Sequence, residues 1–345
     1  MRGHGHGVPV HGGGPLRGRG CGAWCGDTVT ECPSTVADRS AVGGEVREAR
    51  FRSRSDRPHI CSANEVADFS IARGSVNLCK AFFCSSRCRT LPEPLTMPDI
   101  LPSTLSGRGV VIVGGGTGIG AGVARLMHAH GANVFIGGRR SEPLDAVAAS
   151  VDDGSPIRSH TVDVADDDSV NEFFAAARQQ LGRIDVMVNC AGINIQKRRM
   201  SDMDPADWQR VMNINAGGGY RCMHAVLAEM RDRGDGLIVN VSSIAGKRAI
   251  ELGGVVYCAS KFAMTALGTV ASNEVREEGV RITNVYPGEV NTPILDNRPT
   301  PVSQEHRDSI LQPEDVAEMI VAIAMLPPRA HVPEIVIKPL KQEWC

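Results

Sequence analysis

The chain has 345 residues, enough for two average domains or for one large α/β domain with an additional segment. Its 37 basic and 39 acidic residues give a net charge of −2, which provides no overall attraction to nucleic acid or to a membrane surface. Aromatic residues make up only 4%, and 38 glycines are present, a composition that favours an open α/β sheet over an all-β sandwich. No apolar run approaches the roughly 18 residues that suggest a membrane span, so no membrane partner is expected.

Residues 1–96 differ in composition from everything that follows. Residues 1–20 are mainly Gly, His and Arg, which cannot form a core, and no helical or strand period persists in this segment. We therefore predict that residues 1–104 are a low-complexity, disordered extension and that residues 105–345 form one folded domain. Met97 is followed by a proline-containing lead-in to the first strand, so a start site assigned too early, with Met97 as the true start, is the alternative explanation for residues 1–96.

Cysteine and arginine residues in this segment leave two other interpretations open. Seven of the 11 cysteines precede residue 90, and spacings such as Cys79-x4-Cys84 are compatible with zinc, although zinc modules usually have tighter pairs. Arginines at positions 50, 52, 54 and 57 are compatible with a nucleic-acid-binding tail. Neither interpretation is preferred, so no metal site and no nucleic-acid partner are predicted.

The four remaining cysteines are Cys190, Cys222, Cys258 and Cys345. Their scattered spacing suggests reduced thiols, and no apolar segment follows the basic N-terminus as it would in a secretory signal. These two observations predict a cytoplasmic protein.

A strand, a glycine-rich turn and a helix follow one another from residue 109. Gly109–Val113 is a short apolar run of β-branched residues, which predicts a buried parallel strand. The turn at residues 114–120 leads into an amphipathic helix that ends near His130. Glycines let a backbone approach a pyrophosphate, and a helix N-terminus provides free N–H groups and a positive dipole. This order of elements predicts a dinucleotide site.

The end of the second predicted strand, residues 133–136, indicates which dinucleotide binds. In this type of fold that strand end meets the adenosine ribose, where an acid binds the 2′-hydroxyl of NAD and an arginine suits the 2′-phosphate of NADP. Arg139 and Arg140 lie at this corner without an acid. NADP(H) is therefore preferred and NAD(H) stays possible; the alternative is that both arginines are merely solvated.

Polar residues follow the next two predicted strands. The strand at residues 157–162 precedes Asp163, and the strand at residues 184–188 precedes Asn189. A helix is predicted over residues 167–181, and a further one begins at Asp204-Pro205, an N-cap followed by a proline at the first helical position. Asn215 is predicted further along that helix, where an amide is unusual in an apolar stripe and could equally be a surface group or one bonded to local backbone.

Three more strands complete the pattern. Residues 237–241 precede Ser242 and Ser243, residues 280–285 precede Pro287, and residues 334–338 form the last strand after a helix opened by proline 313. The alternation of strands and helices predicts a single Rossmann-type, doubly wound parallel sheet of about seven strands with helices on both faces. In such a fold ligands bind at the carboxyl ends of the strands, where these polar residues lie.

Tyr257 and Lys261 follow the fifth strand and are four residues apart, so on a helix they share one face. An unperturbed tyrosine titrates near pH ~10, and a nearby ammonium favours the phenolate and lowers that pKa. The pair therefore predicts a general acid or base. An exposed tyrosine with a solvated lysine is the alternative, because the spacing alone is common in helices.

With these motifs in order, residues 105–340 resemble the short-chain dehydrogenase/reductase family, a large family of single-domain nicotinamide oxidoreductases. The family's T-G-x-x-x-G-x-G turn is here Val113 to Gly120, its Asp-Val pair is Asp163-Val164, and its N-N-A-G motif begins at Asn189. Val113 and Cys190 depart from the family pattern, and both positions are mainly structural there.

The resemblance implies a catalytic set of Asn215, Ser243, Tyr257 and Lys261, in which Ser243 is the second serine of a V-S-S-x-A-G motif. It also implies a set of residues that contact the cofactor: Gly114, Gly116, Thr117, Gly118, Ile119, Gly120, Arg139, Arg140, Asp163, Val164, Asn189, Ala191, Gly192, Tyr257, Lys261, Pro287, Gly288, Val290 and Thr292.

The implied function is reversible hydride transfer between NADP(H) and a small carbonyl or alcohol substrate. Tyr257 would act as the general acid or base, Ser243 would orient the substrate oxygen, Lys261 would lower the tyrosine pKa and hold the ribose, and Asn215 would position a relay water. A catalytically silent NADP(H)-binding regulator on the same fold is the alternative. Family members commonly form homodimers or homotetramers.

The predicted walls of the substrate pocket are residues 193–199, 245–256 and 293–307. The basic run at residues 197–199 could attract an anionic substrate or could be a solvated loop. The proline-containing loop at residues 291–312 is expected to form a lid.

Overall fold

The computed structural model describes residues 105–151 and 156–343, so the predictions for residues 1–104 lie outside the described residues. Within the described part, seven strands form one sheet in the order β3-β2-β1-β4-β5-β6-β7, and every strand pair is parallel. The strands are β1 (Gly109–Val113), β2 (Asn133–Gly138), β3 (Arg158–Thr161), β4 (Val186–Asn189), β5 (Gly236–Val241), β6 (Val280–Pro287) and β7 (Glu334–Ile337).

Helices connect the strands and cover both faces of the sheet. They are α1 (Gly118–Ala129), α2 (Ser141–Ala148), α3 (Asp167–Leu181), α4 (Pro205–Met212), α5 (Gly218–Arg233), α6 (Val255–Val275), α7 (Gln304–Ser309) and α8 (Pro313–Met325).

The side chains of β1 show how the core is divided. Successive residues of a strand point to opposite faces of its sheet. Val110 and Ile112 pack in a cluster that includes residues of α1 and α8, whereas Val111 and Val113 pack in a cluster that includes residues of α3 and α5. Burial on both faces explains why the strand is an unbroken apolar run. The predicted doubly wound parallel sheet is confirmed.

Two helix starts follow from local side-chain bonds. At α3 the Asp166 carboxylate accepts from the Ser169 N–H at 2.7 Å, and at α4 the Asp204 carboxylate accepts from the Ala206 N–H at 2.8 Å. Each bond satisfies a backbone donor that has no partner within the helix. Both starts agree with the sequence prediction.

The predicted helix through Asn215 is wrong as a continuous α-helix. The chain leaves α4, passes through a π-helical segment at Asn213–Gly217, and then continues as α5. Such bulges are frequent at functional sites. One strand end also differs from the prediction. β6 was expected to end at residue 285, but it continues to Pro287 because Pro287 is still paired with Ile337 of β7.

The strand order places β1 between β2 and β4, so the chain leaves β1 on one side of the sheet and returns on the other. The loops that follow β1 and β4 therefore separate and leave a crevice at their carboxyl ends. The loop that was expected to be a lid carries a short 3₁₀ helix, Pro293–Asn297, and α7.

Candidate active site

A cleft of about 420 Å³ lies at this crevice. The glycine-rich turn after β1 lines one part of it, and Ser243, Tyr257 and Lys261 line another part. All of the predicted catalytic and cofactor-contacting residues line the cleft except Asn189 and Asn215. The side chain of Asn189 is buried at the end of β4, where its Oδ1 accepts from the Ala191 N–H at 3.2 Å.

The glycine-rich turn is shaped so that side chains are excluded from it. Gly114 has a φ of +81°, and a Cβ there would lie 2.8 Å from the Ala191 nitrogen. A Cβ on Gly118 would lie 2.9 Å from the Thr292 Cγ2 atom. The first turn of α1 has no acidic residue, so its N–H groups and the positive dipole end face the cleft without a competing carboxylate. This cradle fits a pyrophosphate.

Arg139 and Arg140 lie at the mouth of the cleft, directly after β2. Both are exposed, and neither has a hydrogen bond or an ion pair with another residue in the part of the chain that the structure describes. Two guanidinium groups with unused donors at this corner fit an anionic ribose substituent such as a 2′-phosphate.

Lys261 is buried on the first turns of α6, with only 4% of its surface exposed. Its Nζ atom donates to the Val241 carbonyl at 3.0 Å and lies 5.6 Å from the centre of the Tyr257 ring. Burial lowers the pKa of Lys261 to about 8, and Cys190 acts weakly in the opposite direction.

The pKa of Tyr257 is raised above its usual value, mainly because burial opposes the charged phenolate. Hydrogen bonding with Ser243 and the positive charge of Arg198 lower the pKa, and Cys258 raises it, but burial dominates. The prediction that Lys261 lowers the pKa of Tyr257 is therefore wrong. The phenol is protonated at neutral pH, as a proton donor must be.

The two serines after β5 have different partners. The Ser242 hydroxyl donates to the Lys261 carbonyl at 3.1 Å, which fixes α6 against the end of the strand. The Ser243 Oγ accepts from the Ala245 N–H at 3.1 Å, and its hydroxyl interacts with Tyr257. The structure thus places Ser243, and not Ser242, beside the tyrosine.

Asn215 lies in the π-helical segment and is fully buried, so the interpretation as a surface amide is wrong. Its Oδ1 accepts from the Ile193 N–H at 2.8 Å. Its Nδ2 donates to the Ile193 carbonyl and to the Ser260 hydroxyl, each at 3.0 Å. The amide therefore supports the loop after β4, behind the wall of the cleft, and the relay water stays a prediction.

Sequence reasoning missed a partly buried carboxylate that lines the cleft. Glu289 Oε1 accepts from Arg298 at 2.7 Å, and Oε2 lies 2.6 Å from the His306 ring nitrogen. Burial raises the Glu289 pKa, but the Arg298 and His306 bonds outweigh it and hold the pKa below its usual value. Gln342 was also missed; its Oε1 accepts from the Glu289 N–H at 3.0 Å. No local pattern marks either residue, because their partners come from distant loops.

The three residues of the basic run at residues 197–199 differ in their exposure to solvent. Lys197 and Arg199 are exposed, whereas Arg198 is only 6% exposed and lines the cleft. The run is therefore neither a wholly solvated loop nor a uniformly basic patch.

The chain is similar to known proteins. The family model for short chain dehydrogenase matches residues 108–302. An uncharacterized oxidoreductase of Staphylococcus aureus (strain USA300) is 28% identical over 238 residues, which make up 69% of this chain and 100% of that protein.

Two solved structures extend the similarity to the fold. A metagenomic short-chain oxidoreductase in complex with NADP is 30% identical with a TM-score of 0.60, over 69% of this chain and 99% of that one. An alcohol dehydrogenase from the archaeon Thermococcus sibiricus, complexed with 5-hydroxy-NADP, is 26% identical with a TM-score of 0.62, over 68% and 98%.

The match of the family model spans more than half of the chain, and the seven-stranded parallel sheet agrees with it. The resemblance drawn from the sequence motifs is confirmed. The chain belongs to the short-chain dehydrogenase family of oxidoreductases.

Proposed function

We propose that the protein catalyses reversible reduction of a small carbonyl compound to an alcohol with NADP(H). One observation carries the proposal: the glycine cradle after β1 and the group formed by Ser243, Tyr257 and Lys261 line the same cleft. A bound nicotinamide cofactor would supply or accept the hydride. The remaining requirements are to bind the substrate oxygen and to provide its proton.

Tyr257 meets the second requirement. Its raised pKa keeps the phenol protonated at neutral pH, so it can donate a proton to the oxygen of a carbonyl that is being reduced. Ser243, which lies beside it, would donate a hydrogen bond to the same oxygen and stabilise the developing negative charge. Lys261 would hold the hydroxyl groups of the nicotinamide ribose through its ammonium donors.

A preference for NADP over NAD rests on Arg139 and Arg140. Their donors have no partners within the described residues, and they follow β2 at the corner where the adenosine ribose binds in this fold. Two of the similar solved structures hold NADP or 5-hydroxy-NADP, which supports the same preference.

The test is oxidation of NADPH and of NADH by the purified protein with a panel of aldehydes, ketones and keto acids. We expect turnover of at least one class and a higher kcat/KM with NADPH. Tight NADPH binding without turnover on the whole panel would contradict the proposal and favour a regulatory binding protein.

We also propose that the protein assembles as a homodimer or homotetramer through α5 and α6. The helical region Val255–Glu278 is long and apolar enough to cross a membrane by length and composition alone, yet only 33% of its apolar 18-residue window is buried in the single chain. Phe262, Val270 and Tyr220 are 42%, 56% and 53% exposed. A core helix of a soluble protein passes the same composition test, and a second copy could cover these side chains. Light scattering should give a mass above one chain; a monomer would contradict the proposal.

A cytoplasmic location is consistent with the thiols. Cys190, Cys222 and Cys258 are all free in the structure. Cell fractionation would test the location, and recovery outside the cytoplasm would contradict it.

A further inference from the structure

Arg198 occupies an unusual position on the substrate side of the cleft. Its side chain crosses Gly254, the N-cap of α6, so closely that a Cβ on Gly254 would lie 2.5 Å from the Arg198 Cβ. Gly254 has a φ of +80°, which favours glycine. The Arg198 carbonyl also accepts from the Val255 N–H at 3.1 Å. The arginine is therefore fixed to the start of the helix that carries Tyr257.

Three backbone carbonyls hold the guanidinium. Nε donates to Ile195 at 2.8 Å, Nη1 donates to Leu252 at 2.9 Å, and Nη2 donates to Asn297. These acceptors belong to three different loops around the cleft. Arginine has five N–H groups, so one N–H on each terminal nitrogen is left after these bonds.

Among the described residues, the charge of Arg198 has no anionic partner. It makes no ion pair with any carboxylate in residues 105–151 and 156–343, and its three acceptors are neutral. The neighbouring Arg298 is paired with Glu289 at 2.7 Å, and the other oxygen of Glu289 lies on His306. This wall of the cleft therefore carries one uncompensated positive charge. A buried charge without a counter-ion is costly, so such an arrangement calls for a function.

The charge also lies within electrostatic range of the proposed proton donor. Arg198 and Tyr257 line the same cleft, and the charge of Arg198 lowers the pKa of Tyr257. The glycine cradle and Arg139 lie along another part of the cleft, at the carboxyl ends of β1 and β2. Arg198 is thus on the side that a substrate would occupy once a cofactor fills the cradle.

We infer that Arg198 binds a carboxylate of the substrate, so that the substrates are keto acids and the corresponding hydroxy acids. This inference rests on the proposed function and names its substrate class. The two remaining N–H groups can meet the two oxygens of a carboxylate, and the arginine is already oriented by its three backbone acceptors. The substrate would provide the missing counter-ion and leave its carbonyl beside Tyr257 and Ser243.

The same three contacts would also be made by an arginine whose only role is to join the three loops. The two roles differ in what they predict for substrates of different charge. We therefore suggest a comparison of short keto acids with their methyl esters, which have the same carbonyl and nearly the same shape. A carboxylate-binding arginine discriminates within each pair, whereas a structural arginine does not.

The variant Arg198→Met keeps the length of the side chain and removes its charge. We expect it to lower kcat/KM for the keto acid at least roughly 30-fold, and to lower kcat/KM for the ester much less. Arg198→Lys keeps the charge but not the paired N–H groups of the guanidinium, so it should retain part of the preference for the acid. Lys197→Met removes a charge from the adjacent, exposed position and should leave both substrates unchanged.

Equal kcat/KM for acid and ester in the wild type, or an equal loss for both in Arg198→Met, would overturn the inference while leaving the proposed function intact. A stronger preference for phosphorylated ketones would overturn the carboxylate assignment. If Arg198→Met does not fold, inhibition of the wild type decides: saturated carboxylates should compete with substrate, and their amides should not. Failure to turn over any carbonyl compound would contradict the proposed function itself.

Discussion

The side-chain amide of Asn215 makes a closed pair of hydrogen bonds with the backbone of Ile193. It accepts from the N–H at 2.8 Å and donates to the carbonyl at 3.0 Å, as a neighbouring strand would. One asparagine in a π-helical segment thereby fixes the loop that follows β4, and this loop forms one wall of the cleft.

Replacing Asn215 by Ala should destabilise the protein. It leaves both backbone groups of Ile193 without their partners, and each buried unsatisfied group costs about 1–3 kcal/mol, so a loss of about 2–6 kcal/mol is expected. Urea unfolding measures it. Asn213→Ala, at the exposed neighbouring position, should change stability by less than about 1 kcal/mol. Similar losses for both variants would show that the Ile193 bonds contribute little.

Removing the Tyr257 hydroxyl should abolish most of the activity without loss of cofactor binding. Tyr257→Phe removes the proton donor, so kcat should fall at least ~10²-fold while the Kd for NADPH stays within a few-fold. Tyr220→Phe makes the same change at a tyrosine that is 53% exposed on α5 and should have wild-type kinetics. Near-wild-type turnover by Tyr257→Phe would refute its assignment as the acid.

The choice of cofactor should depend on Arg139. Arg139→Ala removes donors that we expect to bind the 2′-phosphate, so kcat/KM for NADPH should fall about 10-fold or more and that for NADH should change little. Arg158→Ala, at an exposed position on β3 outside the cleft, is the control. An equal fall with both cofactors would argue for a general role of Arg139 in folding or binding.

Lys261 should make stability depend on pH. Its pKa is about 8 when folded, below the value of about 10.4 in an unfolded chain, so the unfolded state binds more protons between these two values. The contribution of Lys261 to the free energy of unfolding should therefore rise as pH increases from about 8 to about 10.4, by at most roughly 3 kcal/mol.

The comparison that isolates this effect is wild type against Lys261→Met, because both proteins contain the same other titrating groups. Cys222, for example, has a pKa that burial raises to about 12 and is present in both. The stability difference should grow with pH in favour of the wild type. A flat difference for Lys261→Met would contradict a lowered pKa.

The shape of the cradle can be tested at Gly114. Gly114→Ala combines a strained φ of +81° with a Cβ placed 2.8 Å from the Ala191 nitrogen, so it should lose both stability and NADPH affinity. Gly182 has a φ of +74°, and among the described residues no atom lies within 4 Å of a Cβ there, so Gly182→Ala measures the backbone strain alone, about 1–3 kcal/mol. A loss at Gly114 no greater than that at Gly182 would mean that the close approach is unimportant.

The parts of the fold that sequence predicts well are those fixed by neighbours along the chain. The apolar run of β1, the turn after it and the Asp204 N-cap depend on residues a few positions apart, and all three lie where they were expected. The π-helical segment at Asn215 was not predictable in this way, because it depends on bonds to Ile193, 22 positions away.

The charges of the cleft illustrate the same limit. Within the sequence, Arg198 is the middle of a basic run that would ordinarily be solvated. It is buried because carbonyls from positions 195, 252 and 297 converge on it. Likewise, Glu289 is a carboxylate in the cleft only because Arg298 and His306 reach it from a later loop. Neither arrangement has a local sequence pattern.

The walls of the cleft come from nearly the whole described chain, from Val113 after the first strand to Gln342 near the last. A molecule bound there therefore binds the folded protein only, because the cleft does not exist in the unfolded chain. At 100 times its Kd such a ligand adds about 2.7 kcal/mol to the free energy of unfolding. If the ligand is the proposed nicotinamide cofactor, resistance to proteolysis in the cell should then follow the total supply of that cofactor.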